Sequence, residues 1–142
     1  MLEHADAATI RNGYEASNRG DTAGFFAILA HDIIWHEQTC RTLRGDYLGV
    51  DAVGAFLDGL QGRGLTTMRL EPYDILVSDG HVVALLDVRM ERGELTSESR
   101  EVHIWHLSGG RATEVWLISH DPEASDDFWN AELGTQGQGT AA

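Results

Sequence analysis

Residues 31–50 have the sequence HDIIWHEQTCRTLRGDYLGV, and this stretch decides the fold. Its first half alternates, so that Ile33, Trp35 and Glu37 share one face of an extended strand, because successive side chains of a strand point to opposite faces. Its second half is rich in glycine and polar residues, which favour a turn or a very short strand. We therefore predict a strand over residues 32–38 that lines one wall of a pocket.

The residues around this strand predict helices. Apolar side chains three or four residues apart, such as Ile10 and Tyr14, mark the buried face of an amphipathic helix. Gly20 suits the end of the first helix, and Asp21 suits the N-cap of the second. The predicted helices cover residues 5–18, 22–30, 50–60 and 124–132.

The second half of the chain is dominated by strands. Pro72 lies inside the first of them, which indicates an edge strand or a bulge. Asp79 and Gly80 predict a tight turn. The predicted strands cover residues 66–77, 81–92, 96–107 and 112–120. Helices segregated from a mostly antiparallel sheet make an α+β fold, and a curved sheet covered by the N-terminal helices would enclose a cone-shaped cavity.

The composition restricts the possible partners. The chain has 10 Lys and Arg against 23 Asp and Glu, a formal net charge of −13. This charge repels phosphate backbones and anionic lipid, so we expect neither a nucleic-acid nor a membrane partner. Cys40 is the single cysteine, which excludes an internal disulfide and a zinc site built from several cysteines.

Chain length and the two chain ends set the expected organisation. With 142 residues, one domain is expected, and we place it at residues 1–132. Residues 133–142 are mostly glycine, glutamine, threonine and alanine, which predicts a disordered tail. Residues 1–6 have neither the basic region nor the apolar core of a secretion signal, so we expect a cytoplasmic protein.

Several short motifs resemble a known family in their order and spacing. They are NRGD at 18–21, FAILAHDIIW at 26–35, GDYLGVDAV at 45–53, TEVW at 113–116, DP at 121–122 and DFW at 127–129. Together they resemble the SnoaL-like branch of the nuclear transport factor 2-like superfamily. The resemblance implies a cone-shaped α+β barrel with an internal pocket and a homodimer. The superfamily includes ketosteroid isomerase, polyketide cyclases, limonene epoxide hydrolase, dehydratases and non-catalytic binding domains, so the fold alone implies no single activity.

Glu37 is the first candidate catalytic residue. On a face shared with Trp35 it would be desolvated, which raises the pKa of a carboxyl group as a general base requires. Its position resembles that of the catalytic carboxylate of ketosteroid isomerase. Alternatively, Glu37 lies at a strand end in water, or pairs with Arg41 or Arg44. His36 points to the opposite face unless a bulge exchanges the two, so it stays a second candidate.

Asp87 and Arg89 form the second candidate group. They lie two residues apart, on one strand face with Leu85, and opposite charges that continue an apolar stripe are costly unless they are paired or functional. Limonene epoxide hydrolase has Arg-x-Asp on its strand, whereas this chain has the reverse order. A structural ion pair or a solvated strand end is the alternative.

His103 and Trp105 share one face of a later strand. His103 resembles in position the protonated aspartate of the isomerase oxyanion hole, and Tyr14 resembles the helix-borne tyrosine of that site. An imidazole there would donate a hydrogen bond to a developing enolate. The alternative is a histidine of the core with all its hydrogen bonds satisfied. Trp35, Trp105 and Leu117 would form the apolar walls, and Leu85 would also contact the ligand.

The end of the last strand offers Ser119 and Asp121 as further ligand-binding residues. SnoaL-like cyclases have an acid/base carboxylate near this end, and Asp121 resembles it in position. Alternatively, Asp121 leaves the strand for solvent. His103 and His106 point to opposite faces, so we expect no metal site, and the absence of a glycine-rich phosphate loop argues against a nucleotide cofactor.

Two hypotheses of function follow. The first is a cofactor-free acid/base enzyme that acts on a small apolar oxygenated molecule by isomerisation, cyclisation, dehydration or epoxide opening. Glu37 would move the proton, His103 with Tyr14 would stabilise an oxyanion, and Asp87 and Arg89 would orient substrate or water. The second is a non-catalytic domain that binds a small ligand or another protein.

Overall fold

The computed structural model describes residues 3–134 and has an α+β fold with four helices and one six-stranded sheet in this range. The helices are α1 (Ala5–Asn18), α2 (Thr22–Phe26), α3 (Val50–Gly62) and α4 (Pro122–Asn130). The strands are β1 (Leu29–Gln38), β2 (Gly45–Leu48), β3 (Leu65–Ser78), β4 (His81–Arg92), β5 (Leu95–Ser108) and β6 (Arg111–Ser119). The predicted α+β class is confirmed.

The strand order is β2-β1-β6-β5-β4-β3, and every neighbouring pair is antiparallel except β1 with β6. β1 therefore lies inside the sheet, although it comes first in the chain. This arrangement places β6 between β1 and β5, the two strands that carry Glu37 and His103.

One face of the sheet, here called the inner face, carries the core. In β4 the side chains of Val82, Ala84 and Leu86 are fully buried on this face, while Val83 and Leu85 are half-buried on the outer face. Helix α1 packs on β3 and contributes Ile10 and Tyr14 to the core. The alternation of β4 thus separates the two environments that matter for the site.

Asn18 joins the end of α1 to the edge strand β3. Its side-chain amide donates to the Leu70 carbonyl at 2.7 Å, and its side-chain oxygen accepts from the Leu70 amide at 2.8 Å. The two bonds satisfy backbone groups that an edge strand otherwise leaves open to solvent. They also fix the depth at which α1 holds Tyr14.

The second helix is shorter than the sequence predicts. It ends at Phe26, because the Ile28 carbonyl accepts a hydrogen bond from the Ala112 amide at 2.8 Å and Leu29 already pairs with Ala112 of β6. Pairing with a neighbouring strand here overrides local helical propensity. The predicted N-cap is confirmed, since the Asp21 side chain accepts from the Gly24 amide.

The other local predictions agree with the structure. A register shift at Pro72 confirms the bulge in β3, and β3 is an edge strand. Asp79 and Gly80 have positive φ values of 42° and 78°, which make the predicted turn between β3 and β4. No helix in the described range is long and apolar enough to cross a membrane. Most of the predicted tail, residues 135–142, lies outside the described residues.

Candidate active site

A cavity of about 580 Å³ lies between the inner face of the sheet and the helices. Six of the residues predicted for the site line it together: Tyr14, Trp35, Glu37, His103, Trp105 and Leu117. Its volume is within the range of small-molecule sites. The structure therefore places the first and third candidate groups in one cavity.

Strand register explains why these side chains meet. Leu117 of β6 pairs with Glu37 on one side and with His103 on the other, so these three lie in one row across the sheet. Two strand spacings separate the Cα atoms of Glu37 and His103 by about 10 Å. Trp35 and Trp105 flank Val115 in the adjacent row. Each polar group therefore has an indole beside it.

Glu37 is a buried carboxyl group with two hydrogen-bond donors. Its side chain is 6% exposed, Trp35 Nε1 donates to Oε1 at 3.0 Å, and Thr39 Oγ1 donates to Oε2 at 2.5 Å. Burial raises the pKa of Glu37 to about 7, and the nearby charge of Glu101 adds to this, against the opposing effect of the two hydrogen bonds. Near neutral pH, Glu37 can accept or donate a proton.

A chain of hydrogen bonds faces Glu37 across the cavity. Trp105 Nε1 donates to the Tyr14 hydroxyl at 2.9 Å, and the Tyr14 hydroxyl lies 2.8 Å from His103 Nδ1. His103 Nε2 lies 2.8 Å from Glu101 Oε1. An ionised carboxylate only accepts, so Nε2 donates to Glu101; in a neutral imidazole Nδ1 is then the acceptor, and the Tyr14 hydroxyl donates to it. Burial raises the pKa of Tyr14, which keeps its hydroxyl protonated.

Glu101 and Thr39 are site residues that the sequence analysis missed. Both line the cavity, and both are buried. A usable signal was present, because Glu101 lies two residues before His103 and Thr39 lies two residues after Glu37. The alternation of a strand puts each pair on one face. On β5, the face that carries His103 and Trp105 also carries Glu101, two residues before His103.

Aromatic rings form much of the remaining wall. Trp35 packs edge-on against Trp105, with ring centroids 6.3 Å apart, and Phe25 packs edge-on against Trp35 at 6.2 Å. Tyr14 meets Trp105 in the same way at 6.2 Å. Edge-to-face packing holds such rings in fixed orientations. The cavity therefore presents rigid apolar surface beside its few polar groups.

His36 points away from the cavity. Its Nδ1 lies 2.8 Å from Asp46 Oδ1, its Nε2 lies 2.7 Å from Glu114 Oε2, and its ring stacks on Trp116. Burial lowers the pKa of His36, but the hydrogen bonds to the two carboxylates outweigh it, so the pKa lies above its usual value. No bulge exchanges His36 with Glu37: the register shift of β1 lies before Ile34, and the alternation holds over residues 33–38.

Asp87 and Arg89 lie on the outer face of the sheet, and Leu85 lies on the same face. Asp87 is exposed and pairs with Arg100 at 3.1 Å, while Arg89 pairs with Glu98 at 2.5 Å. None of the three predicted residues lines the cavity. Asp87 and Arg89 therefore do not group with Glu37. The residues of β4 that face inward in this part of the strand are Leu86, Val88 and Met90.

Ser119 and Asp121 also lie outside the cavity lining. The Ser119 hydroxyl is buried beside the Ser125 hydroxyl at 3.3 Å and accepts from the Asp121 amide at 3.1 Å. The Asp121 side chain accepts from the Ala124 amide at 3.1 Å and is the N-cap of α4. Both residues thus fix the start of α4, which brings Trp129 to the cavity.

The described part of the lining carries acidic and neutral groups. Its ionisable side chains include Glu37, Asp58 and Glu101, and no lysine or arginine is among the described residues that form it. Within residues 3–134 no three His, Cys, Asp or Glu side chains converge as metal ligands would.

Comparison with known proteins places this geometry in a family. The model of the SnoaL-like domain matches residues 10–115. The chain belongs to the SnoaL-like family. An uncharacterized protein of Mycobacterium tuberculosis is 31% identical to this SnoaL-like chain over 130 residues, which cover 91% of this chain and 99% of the relative.

Solved structures agree with this membership. A nuclear transport factor 2-like protein of unknown function from Burkholderia pseudomallei has a TM-score of 0.83 and 27% identity, over 91% of this chain and all of that chain. TerC, co-crystallised with polyporic acid, has a TM-score of 0.81 and 22% identity, over 90% of this chain and 100% of its own. IdmH of Streptomyces antibioticus, a candidate polyketide cyclase, has a TM-score of 0.69 and 20% identity, over 83% of this chain and 94% of that chain.

Proposed function

We propose that this protein is an acid/base enzyme that acts on a small, largely apolar, oxygenated molecule, with Glu37 as the group that moves the proton. One observation carries the proposal. Glu37 is buried in a cavity with aromatic walls, and its pKa is raised to about 7. A general base is most effective when its pKa lies near the working pH.

The cavity supports a simple proton-transfer step. The aromatic rings would hold an apolar ring system beside the Glu37 carboxylate, and this carboxylate would remove a proton from carbon next to a carbonyl group. Return of the proton from Glu37 to another carbon completes an isomerisation. In a cyclisation, the enolate carbon instead attacks a second carbonyl carbon of the same molecule, whose C=O π bond opens to an alkoxide, and the alkoxide takes the proton back from Glu37. Trp35 and Thr39 keep the carboxylate oriented, because each donates a hydrogen bond to a different oxygen.

Two structural relatives supply a direction for the search. IdmH is described as a candidate polyketide cyclase, and TerC was crystallised with polyporic acid. At these identities the likeness concerns the fold alone. They support testing cyclic ketones and related oxygenated compounds first.

A deuterium-exchange screen tests the proposal. Cyclic ketones with acidic C–H groups are incubated with the protein in heavy water, and NMR follows the loss of the exchangeable signal. For a ketone that exchanges, Glu37→Gln should lower the enzymatic rate by about 10²–10⁴-fold, as for loss of a general base. The control Asp87→Asn on the outer face should leave the rate unchanged. An unchanged rate in Glu37→Gln would eliminate Glu37 as the base.

One observation favours a second candidate function, non-catalytic ligand binding. The predicted oxyanion site needs a free donor, yet the hydrogens of Tyr14 and His103 are already used within their chain. A binding protein needs no such donor. This alternative predicts that a ligand binds in the cavity although no ketone exchanges.

A further inference from the structure

Five side-chain donors beside Glu37 and Glu101 are engaged in hydrogen bonds within the protein. Trp35 and Thr39 donate to Glu37, and Trp105, Tyr14 and His103 donate along the second chain. With a neutral imidazole each hydrogen is used once, and both chains end at a carboxylate. A ligand beside Glu37 and Glu101 therefore meets no free donor from these five side chains.

The acceptors, by contrast, are not saturated. Each oxygen of an ionised carboxylate can accept more than one hydrogen bond, and the Glu37 oxygens accept one each from the side chains of Trp35 and Thr39. Glu101 Oε1 accepts from His103, while Oε2 has no hydrogen-bond partner within residues 3–134. Glu101 is only 8% exposed and lines the cavity. Ser99 Oγ is the only fully buried side-chain polar atom without a partner in residues 3–134, so Glu101 Oε2 is accessible from the cavity and is open to a hydrogen bond from a ligand there.

Charge narrows the class of ligand. Besides Glu37 and Glu101, Asp58 lines the cavity, and no described lining residue is a lysine or arginine. The whole chain carries a formal net charge of −13. Burying a carboxylate or phosphate ligand beside unpaired carboxylates would be strongly unfavourable.

We propose that Glu101 is a second ligand-binding carboxylate and that the cavity takes an uncharged molecule that donates two hydrogen bonds, one to Glu37 and one to Glu101. This rests on the proposed function in using the same cavity. Register sets the span, because Glu101 pairs with Ser119, two residues beyond the Leu117 row. The Cα atoms of the two glutamates are thus about 12 Å apart. A fused aromatic ring system with a hydroxyl group on each ring can lie between the two carboxyl groups.

Calorimetric titration with three matched probes tests the proposal. The probes are a naphthalenediol with one hydroxyl group on each ring, its dimethyl ether, and a naphthoate anion. The diol should bind to the native protein, the ether at least about tenfold more weakly, the loss expected for one hydrogen bond, and the anion least of all. Absence of diol binding, equal binding of diol and ether, or tighter binding of the anion would overturn the proposal.

Two variants of β5 test whether Glu101 itself binds the ligand or whether any loss of charge on this strand weakens binding. Glu101→Gln should weaken diol binding by about tenfold and leave ether binding unchanged, since only the diol donates to this group. The control Glu98→Gln lies on the opposite face of β5 and should leave both unchanged. The ¹⁵N signals of His103 should keep the Nε2-protonated form in both variants, because the glutamine oxygen still accepts from Nε2. An equal loss for diol and ether in Glu101→Gln would overturn the assignment.

The binding and exchange experiments distinguish a failure of the proposed ligand class from a failure of the proposed enzyme function. Diol preference without any Glu37-dependent proton exchange would contradict the enzyme and uphold the ligand class. Glu37-dependent exchange of a ketone without diol preference would uphold the enzyme and contradict the ligand class.

Discussion

On the inner face of the sheet, Glu37 and Glu101 lie among aromatic rings and are hydrogen-bonded to indole, hydroxyl and imidazole groups, whereas on the outer face Asp87 lies in water beside Arg100. The two environments are separated by one step of strand alternation. Glu101 is buried, and the next residue back, Arg100, is exposed. Chemically similar carboxylates therefore lie in different environments on the two faces of the sheet.

The difference between the two faces shows that the surroundings of a carboxyl group determine the free energy of its ionised form. Desolvation disfavours the ionised form of Glu37, and the Glu101 charge acts in the same direction. The outer carboxylates keep their water and face guanidinium groups, so exposed pairs there contribute little to stability. Glu37 and Asp87 have similar sequence patterns, since each lies two residues after an apolar side chain. The pattern predicts an acid/base group only where that face of the strand is buried.

The largest expected effect on stability comes from the inner chain. Tyr14→Phe removes the group that accepts from Trp105 and donates to His103, and it leaves two buried polar atoms without their partner. We expect a loss of about 1–3 kcal/mol in the free energy of unfolding by urea. Arg89→Gln on the outer face serves as the control and should stay within about 0.5 kcal/mol. Equal losses in both variants would remove the distinction between the faces.

An effect of similar size is expected in the pH dependence of stability. The pKa of Glu37 is about 7 in the folded protein against an ordinary value of 4.5, so between these values the folded state binds more protons than the unfolded state. The resulting stabilisation is complete below pH 4.5 and is lost as pH rises through about 7. Its slope reaches about 1.4 kcal/mol per pH unit.

Urea unfolding of the native protein and Glu37→Gln at a series of pH values measures this effect. The stability of the native protein relative to the variant should fall between about pH 5 and about pH 8. Parallel pH profiles for the two proteins would show that Glu37 keeps an ordinary pKa when folded.

The smallest effect is expected at the outer pair of Asp87 and Arg100. The two charged groups are 3.1 Å apart and exposed, so Asp87→Asn should cost less than about 1 kcal/mol, and added salt should reduce the cost further. Urea unfolding at low and high salt checks both statements. A loss as large as that of Tyr14→Phe would mean that the outer pair is also desolvated, as an interface would make it.

Strand alternation made much of the fold and part of the site predictable. It places Glu37 with Trp35 and His103 with Trp105, and the structure brings both pairs to one cavity. Alternation alone does not say which face of a strand is covered. In β4 both faces are apolar near His81, so the sequence could not tell that Asp87 and Arg89 point outward.

Other features depend on contacts between distant residues. The parallel pairing of β1 with β6 ends α2 early and sets the row of Glu37, Leu117 and His103, and no local pattern encodes it. The role of Asp121 as the N-cap of α4 could have been predicted from the sequence, because Pro122 follows it and proline is favoured at the first position of a helix. The homodimer and the cytoplasmic location stay predictions.

A direct titration of Glu37 tests the central claim, that this carboxyl group is a desolvated acid/base group. The protein is labelled with ¹³C at the glutamate carboxyl carbon, and Glu37→Gln identifies the signal. We predict a midpoint at about pH 7. Thr39→Val should raise the midpoint, and Glu101→Gln should lower it, since the Thr39 hydrogen bond lowers and the Glu101 charge raises the pKa of Glu37. A midpoint near the ordinary 4.5 would contradict the account.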